Sequence, residues 1–289
     1  MFYTIEELVQ QADRDYQGNI AELMIATETE LTRRERPEIL ALMARNLEVM
    51  KESVQAGLSP EKSSTGLTGG DAAKLDAYIK NGKTLADTAV LGAARNAMAV
   101  NESNAKMGLV CATPTAGSAG CLPAVLTTAI EKLGLTESQQ LDFLFTAGAF
   151  GLVIANNASI SGAEGGCQAE VGSASAMAAA AITMAAGGTP FQASQAICFV
   201  LKNMLGLICD PVAGLVEVPC VKRNAMGASF ALVAADMALA GITSAIPVDQ
   251  VVDAMYQVGS AMPTAFRETA EGGLAATPKG KALAKEIFG

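Results

Sequence analysis

Apolar positions recur at steps of three and four over long stretches of this chain. Ile39, Leu40, Met43, Leu47, Met50 and Val54 form one such stripe, the period of a single helix face. Pro37 stands just ahead of it, where proline suits a first helical turn, so the segment from Ile20 to Gly57 predicts two amphipathic helices parted near Arg36-Pro37. Thr136-Glu-Ser-Gln139 and Thr189-Pro190-Phe-Gln192 have the spacing of a capping box and predict two further helix starts. Helical patterning also covers Thr84 to Val100, the apolar segment from Leu141 to Ala155, an alanine-rich stretch from about Ala169 to Ala186, and a segment opened by Pro247. The tail from Glu271 is glycine-rich and polar and reads as surface.

Glycine- and hydroxyl-rich stretches interrupt this pattern at Ser63 to Asp71, Asn101 to Gly108, Thr113 to Cys121 and Asn156 to Cys167. A fifth interruption, Cys209-Asp-Pro-Val-Ala-Gly-Leu-Val-Glu-Val-Pro-Cys220, holds two prolines and a glycine and cannot run as one helix. No repeat period and no linker is visible. The expectation is an all-α fold, a single helical catalytic domain over residues 1–289 with long glycine-rich active-site loops, with residues 1–57 as an optional N-terminal helical subdomain.

Composition supports helices. The 289 residues are 51% hydrophobic but 4% aromatic, so the core must be built from Ala, Val, Leu, Ile and Met, and the aromatic residues favoured in strands are scarce. A formal net charge of −9 argues against an electrostatic grip on nucleic acid or anionic lipid. The opening Met1-Phe-Tyr-Thr-Ile-Glu-Glu lacks the pattern of a secretory signal, which gives a cytoplasmic expectation. In that compartment six cysteines read as metal ligands or buried thiols rather than a disulfide framework. The positive mean hydropathy of +0.32 raises the question of a membrane span. The run from Ala225 to Pro247 is the sharpest test, and its alanine content and mid-run Asp236 make it a buried helix.

The chain has no histidine, which removes the usual general base, the usual metal ligand and every Ser-His-Asp or Cys-His arrangement. The soft ligands that remain are thiolates, which select zinc, copper(I) or iron–sulfur. Cys198 lies in the apolar stretch Ala196-Ile-Cys-Phe-Val and reads as a small buried hydrophobe; burial is also favoured over ligation for Cys111 and Cys121. Cys167, Cys209 and Cys220 sit in glycine- or proline-shaped loops, and their spacing leaves zinc, iron–sulfur and burial open. The Ser63 to Asp71 segment can wrap an anion with backbone N–H groups where it feeds a helix near Asp71, or can be a plain turn; it lacks the Gly-Lys-Ser/Thr ending of a phosphate loop.

Five segments together are more specific. Ser63-Ser-Thr-Gly-Leu-Thr-Gly-Gly70, Asn101-Glu-Ser-Asn-Ala-Lys-Met-Gly108, Pro114-Thr-Ala-Gly-Ser-Ala-Gly120, Glu164-Gly-Gly-Cys-Gln-Ala-Glu170 and Cys209 through Asn224 resemble, in order and over nearly the whole chain, the iron–sulfur-dependent L-serine dehydratases, in particular the alpha chain of their two-chain form. The resemblance implies an oxygen-sensitive [4Fe-4S] cluster on Cys167, Cys209 and Cys220, an all-helical catalytic domain, L-serine as substrate and a separate beta chain. In single-chain relatives a C-terminal extension reaches the site. Here the chain ends Lys285-Glu-Ile-Phe-Gly289 without a terminal cysteine, so water or a partner residue is expected at the fourth iron position.

Under that resemblance three protein ligands leave one iron open to the serine hydroxyl, where it acts as a Lewis acid for a poor leaving group. Loss of the Cα proton and the hydroxyl gives aminoacrylate, which tautomerises and hydrolyses to pyruvate and ammonia. The substrate carboxylate is expected on Ser63, Ser64, Thr65, Gly66, Thr68 and Gly69 and on Thr115, Ala116, Gly117 and Ser118, with Asn101, Ser103 and Asn104 alongside. Lys106 is the first choice of base, since desolvated lysines can serve as bases, with pairing to substrate or a carboxylate as its other role. Lys222 and Arg223, beside Cys220, are expected to tune the cluster or bind substrate. The rivals are a cysteine desulfidase using the same cluster, a pyridoxal phosphate dehydratase, a base supplied by the beta chain, and a non-catalytic helical membrane or scaffold protein.

Overall fold

The computed structural model describes residues 2–289, and among them the regular structure is helical throughout. The helices are α1 Ile5–Tyr16, α2 Ile20–Thr32, α3 Arg36–Gly57, α4 Asp71–Lys80, α5 Thr88–Ala105, α6 Cys121–Leu133, α7 Glu137–Asn157, α8 Gly162–Ala185, α9 Pro190–Met204, α10 Cys220–Leu239, α11 Val248–Ala261 and α12 Pro278–Phe288. Pro37 lies in the first turn of α3, and Thr136 and Thr189 close the two capping boxes that the sequence predicts. The segment opened by Pro247 is α11, with that proline as its N-cap.

The centre of the molecule is α8. Almost every residue from Gly165 to Thr183 is buried, and the run is made of Ala, Gly, Ser and short aliphatics. A helix apolar on all sides belongs in an interior, and its small side chains let α6, α7, α9, α10 and α11 approach it from every direction. The scarce aromatics serve the same core: Phe143, Phe145 and Phe150 of α7 are fully buried, each stabilising by roughly 1.5–3 kcal/mol. The apolar core runs from Phe2 on α1's approach through Ile39 and Leu47 of α3 to Met255 of α11.

Three local expectations change. Asn101 to Ala105 is not loop but the last turn of α5, and Asn101, Glu102 and Ser103 are buried there. Residues 162–165 form a helical turn ahead of Cys167, joined to the rest of α8 through Gly166. The tail is largely surface but also helical, because α12 follows a second proline-led cap at Thr277 and packs on the 3-10 turn Val212–Gly214 between Cys209 and Cys220. The run beginning at Ala225 lies largely in α10, one face of which is buried. Among the described residues, no helix is long and apolar enough to cross a membrane.

Candidate active site

Two backbone devices present the first two thiols. Gly166 has φ 74°, a left-handed conformation that favours glycine, and a side chain there would meet Met262 and the Leu207 carbonyl. The chain thereby turns into the straight part of α8 with Cys167 at its beginning, and the Gln168 N–H donates to the Leu207 carbonyl at 2.9 Å. Cys209 is held in an isolated parallel bridge with Arg267: its N–H donates to the Phe266 carbonyl at 2.8 Å, and the Glu268 N–H donates to its carbonyl at 2.8 Å. Cys220 is the first residue of α10. All three are buried and free.

The sulfurs of Cys167 and Cys209 and a carboxylate oxygen of Glu170 lie within 4.8 Å of one another. Glu170 follows Cys167 by three residues, so the two share a face of α8. Cys220 does not join this tight group, yet it is near enough to feel it. Burial, then the charge of Cys167, push its thiol pKa up. Cys167 and Cys209 are shifted in opposite directions. The hydrogen bond from Cys209 and the nearby Arg223 guanidinium hold Cys167 below the ordinary thiol range, while Cys209 keeps the proton and is pushed up.

Arg223 reaches this group from the first turn of α10. Its Nη1 donates to Cys167 Sγ at 3.5 Å and to the Ile208 carbonyl at 2.7 Å, and its Nη2 pairs with Asp210 Oδ1 at 2.8 Å. Asp210 Oδ2 in turn accepts from the Leu274 N–H at 2.7 Å, tying the C-terminal segment to the thiol loop. Two buried thiols, one favoured as thiolate, with a carboxylate beside them and a third thiol at the next helix start, are a donor set that fits a thiophilic metal. Of the remaining thiols, Cys121 is packed against Cys167 and Cys209 with burial pushing it up to about 12, and Cys198 is in the apolar core. Cys111 is half-buried with its thiol on the Asn46 carbonyl.

The glycine- and hydroxyl-rich loops surround this centre, and the first of them does hold anions, though these are the protein's own. Glu217, inside the thiol loop, accepts hydrogen bonds from Ser63 at 2.6 Å, Thr65 at 2.7 Å and Thr68 at 2.6 Å. Glu102 accepts from the N–H groups of Gly70 and Asp71 at 2.9 Å and of Ala72 at 3.3 Å, a carboxylate seated on the N-terminus of α4. Gly69 passes close over Lys62, while Ser64 and Gly66 are exposed at the loop's tip.

In the second loop Thr115 donates to Glu170 and exchanges a bond with Ser118 at 3.0 Å. The Gly117 carbonyl accepts from Asn101 at 3.2 Å and from Asn224 at 2.7 Å, which fastens the loop to α5 and α10; Ala116 is exposed. Lys106, just past α5, has a buried Nζ without a hydrogen-bond partner, and the Oδ1 of Asn101 is likewise unpaired. Ser103 and Asn104 act here through their carbonyls, which accept from Gly108 at 2.9 Å and Met107 at 3.0 Å. Lys222 pairs with Asp71 at the start of α4.

Sequence reasoning passed over Glu102, Glu170, Glu217 and Asn224. The signal was present for two of them, since Glu170 is three residues from a candidate ligand and Glu217 is the single carboxylate amid the apolar part of the thiol loop.

Comparison with known proteins agrees with this geometry. Residues 15–275 match the model of a family described as serine dehydratase alpha chain. A probable L-serine dehydratase alpha chain of Bacillus subtilis is 62% identical over 289 residues, covering 100% of this chain and 96% of the relative. The L-serine dehydratase alpha chain of Peptoniphilus asaccharolyticus is 46% identical over 211 residues, 73% of this chain and 72% of the relative. The longer L-serine dehydratase TdcG of Escherichia coli is 36% identical over 282 residues, 95% of this chain and 61% of the relative. With a family match over residues 15–275 and a relative 62% identical along the whole chain, the chain belongs to the serine dehydratase alpha chain family.

Proposed function

We propose that this chain is an L-serine ammonia-lyase, the alpha chain of a two-chain L-serine dehydratase, which converts L-serine to pyruvate and ammonia with a [4Fe-4S] cluster on Cys167, Cys209 and Cys220. The observation that carries the reading is the meeting of the Cys167 and Cys209 sulfurs with Arg223 on Cys167, in a chain of this family. Six free cysteines suit a reducing cytoplasm, and the relatives named as alpha chains support a separate beta chain.

When bound, the cluster supplies a Lewis acid for departure of the β-hydroxyl. The residues do the rest. Arg223 offsets negative charge on the thiolates and, through Asp210, fixes the loop that carries Cys209. Lys106 Nζ, buried and unpartnered, takes the Cα proton, and the unpaired Asn101 Oδ1 accepts from the substrate ammonium. Ser64, Gly66, Ala116 and the backbone of Gly117 face the substrate carboxylate, while Ser63, Thr65 and Thr68 shape that loop from behind by holding Glu217, and Gly69 lets it turn close over Lys62. Ser103, Asn104, Thr115 and Ser118 keep the Lys106 turn and the second loop in place.

The test is anaerobic purification with iron and sulfide counts and turnover of L-serine against L-cysteine. Pyruvate and ammonia from serine, lost together with the cluster on exposure to air, are expected. Faster turnover of cysteine, or full activity without iron, overturns the proposal.

A further inference from the structure

One carboxylate in the centre has no assigned task. Glu170 Oε1 is held by Thr115, and among the described residues no basic side chain bonds to it. Its other oxygen takes part in a convergence marked by Gly162. At the point a Cβ of Gly162 would occupy, Cys209 Sγ is 3.0 Å away, Glu268 Oε2 3.1 Å and Glu170 Oε2 3.3 Å. A thiol and two carboxylates thus face one small space that only a glycine leaves open, with Cys167 Sγ completing the group to within 4.8 Å of Cys209 and Glu170.

We propose that Glu170 is the oxygen ligand of the iron that has no cysteine, holding that position until the serine hydroxyl takes it. The inference rests on the cluster reading above and specifies how this chain closes its open site. Glu170 shares the α8 face of Cys167, so no loop movement is needed to bring it to the metal. A carboxylate is a harder and more readily exchanged ligand than a thiolate on such a centre, so a hydroxyl can replace it where a fourth cysteine would resist. Thr115 gives the displaced carboxylate a donor to rest on, so that it is not left as a bare buried charge. Glu268 reaches the same space but is exposed and does not join the tight group of Cys167, Cys209 and Glu170, which makes it the weaker candidate.

The experiment reconstitutes the full chain anaerobically with labelled iron and sulfide and compares Mössbauer and electron paramagnetic resonance spectra of the wild type, Glu170→Gln and Glu170→Asp. Expected is one iron in the wild type with an oxygen-ligated signature that shifts on adding L-serine. In both variants that signature is lost or displaced while iron content is kept. Glu170→Gln preserves shape and the Thr115 contact, and Glu170→Asp preserves charge but retracts the carboxylate, so a folding defect in one leaves the other informative. Spectra of both variants identical to the wild type overturn the role of Glu170 and leave the cluster intact. Failure of the wild type to take up iron, or full uptake by Cys209→Ser, overturns the cluster reading itself and this inference with it.

Discussion

Glu217 accepts a hydrogen bond from the Ser63 hydroxyl at 2.6 Å, joining the loop between two thiols to a loop 154 residues earlier. Thr65 and Thr68 bind the same carboxylate, so one buried side chain fixes the relative placement of the hydroxyl loop and the thiol loop. Glu217→Ala leaves three hydroxyls without their acceptor and is expected to lower stability by roughly 3 kcal/mol, with a smaller loss for Glu217→Gln. Both variants should retain less iron after anaerobic reconstitution. Urea unfolding together with iron counts checks this, and unchanged values in Glu217→Ala would count against the latch.

The Arg223–Asp210 pair is nearly dry, with side chains 15% and 3% exposed. Removing one member strands the other, so Asp210→Ala should destabilise by about 3–5 kcal/mol. Asp210→Asn, which keeps the Leu274 contact, should lose less. Denaturant melts of the metal-free chain measure both, and equal melts for wild type and Asp210→Ala refute the assignment.

Asp71, at the start of α4, is lowered from 3.8 to about 2 by its hydrogen bonds to Lys222 and Lys74. A depressed folded-state value means that this contribution is fully present above about pH 4 and is lost as pH falls towards 2. Asp71→Asn should therefore flatten the stability profile over that interval and leave it parallel to wild type above pH 5. Acid titration followed by circular dichroism resolves the two curves; superimposable acid limbs contradict the prediction.

Lys106→Met keeps the length and apolar stem of the side chain and deletes its amine. If the amine takes the Cα proton, kcat should fall about a hundredfold or more while iron content and melting temperature stay near wild type. Stopped-time pyruvate assays suffice. A variant with unchanged kcat and raised KM would move Lys106 from proton transfer to substrate binding.

The helices were largely legible in the chain because their signals are local. The stripe from Ile39 to Val54, Pro37, and the capping boxes at Thr136 and Thr189 each act within a few residues. The ends of α5 and α8 were less so. Asn101 to Ala105 reads as polar loop, yet the Asn101 amide N–H and the Glu102 carboxylate find partners on the Gly117 loop and at the start of α4, which only the folded chain supplies. The site shows the same division. Cys167, Cys209 and Cys220 stand out by their loops, whereas Glu102 and Glu217 look like ordinary surface acids until the donors that surround them are brought in from distant segments. α12 was hidden by glycine and polar residues around a short amphipathic stretch that gains its place by packing on the thiol loop.

The bridge between Cys209 and Arg267, with the bond from Leu274 to Asp210, also orders events in time. Synthesis runs from the N-terminus, so α8 and Cys167 exist long before residues 264–274 that brace Cys209. Until those arrive, the second thiol lacks its frame and Arg223 shares its carboxylate with nothing fixed behind it. The frame of the second thiol is therefore complete only in a chain already made at least through that segment.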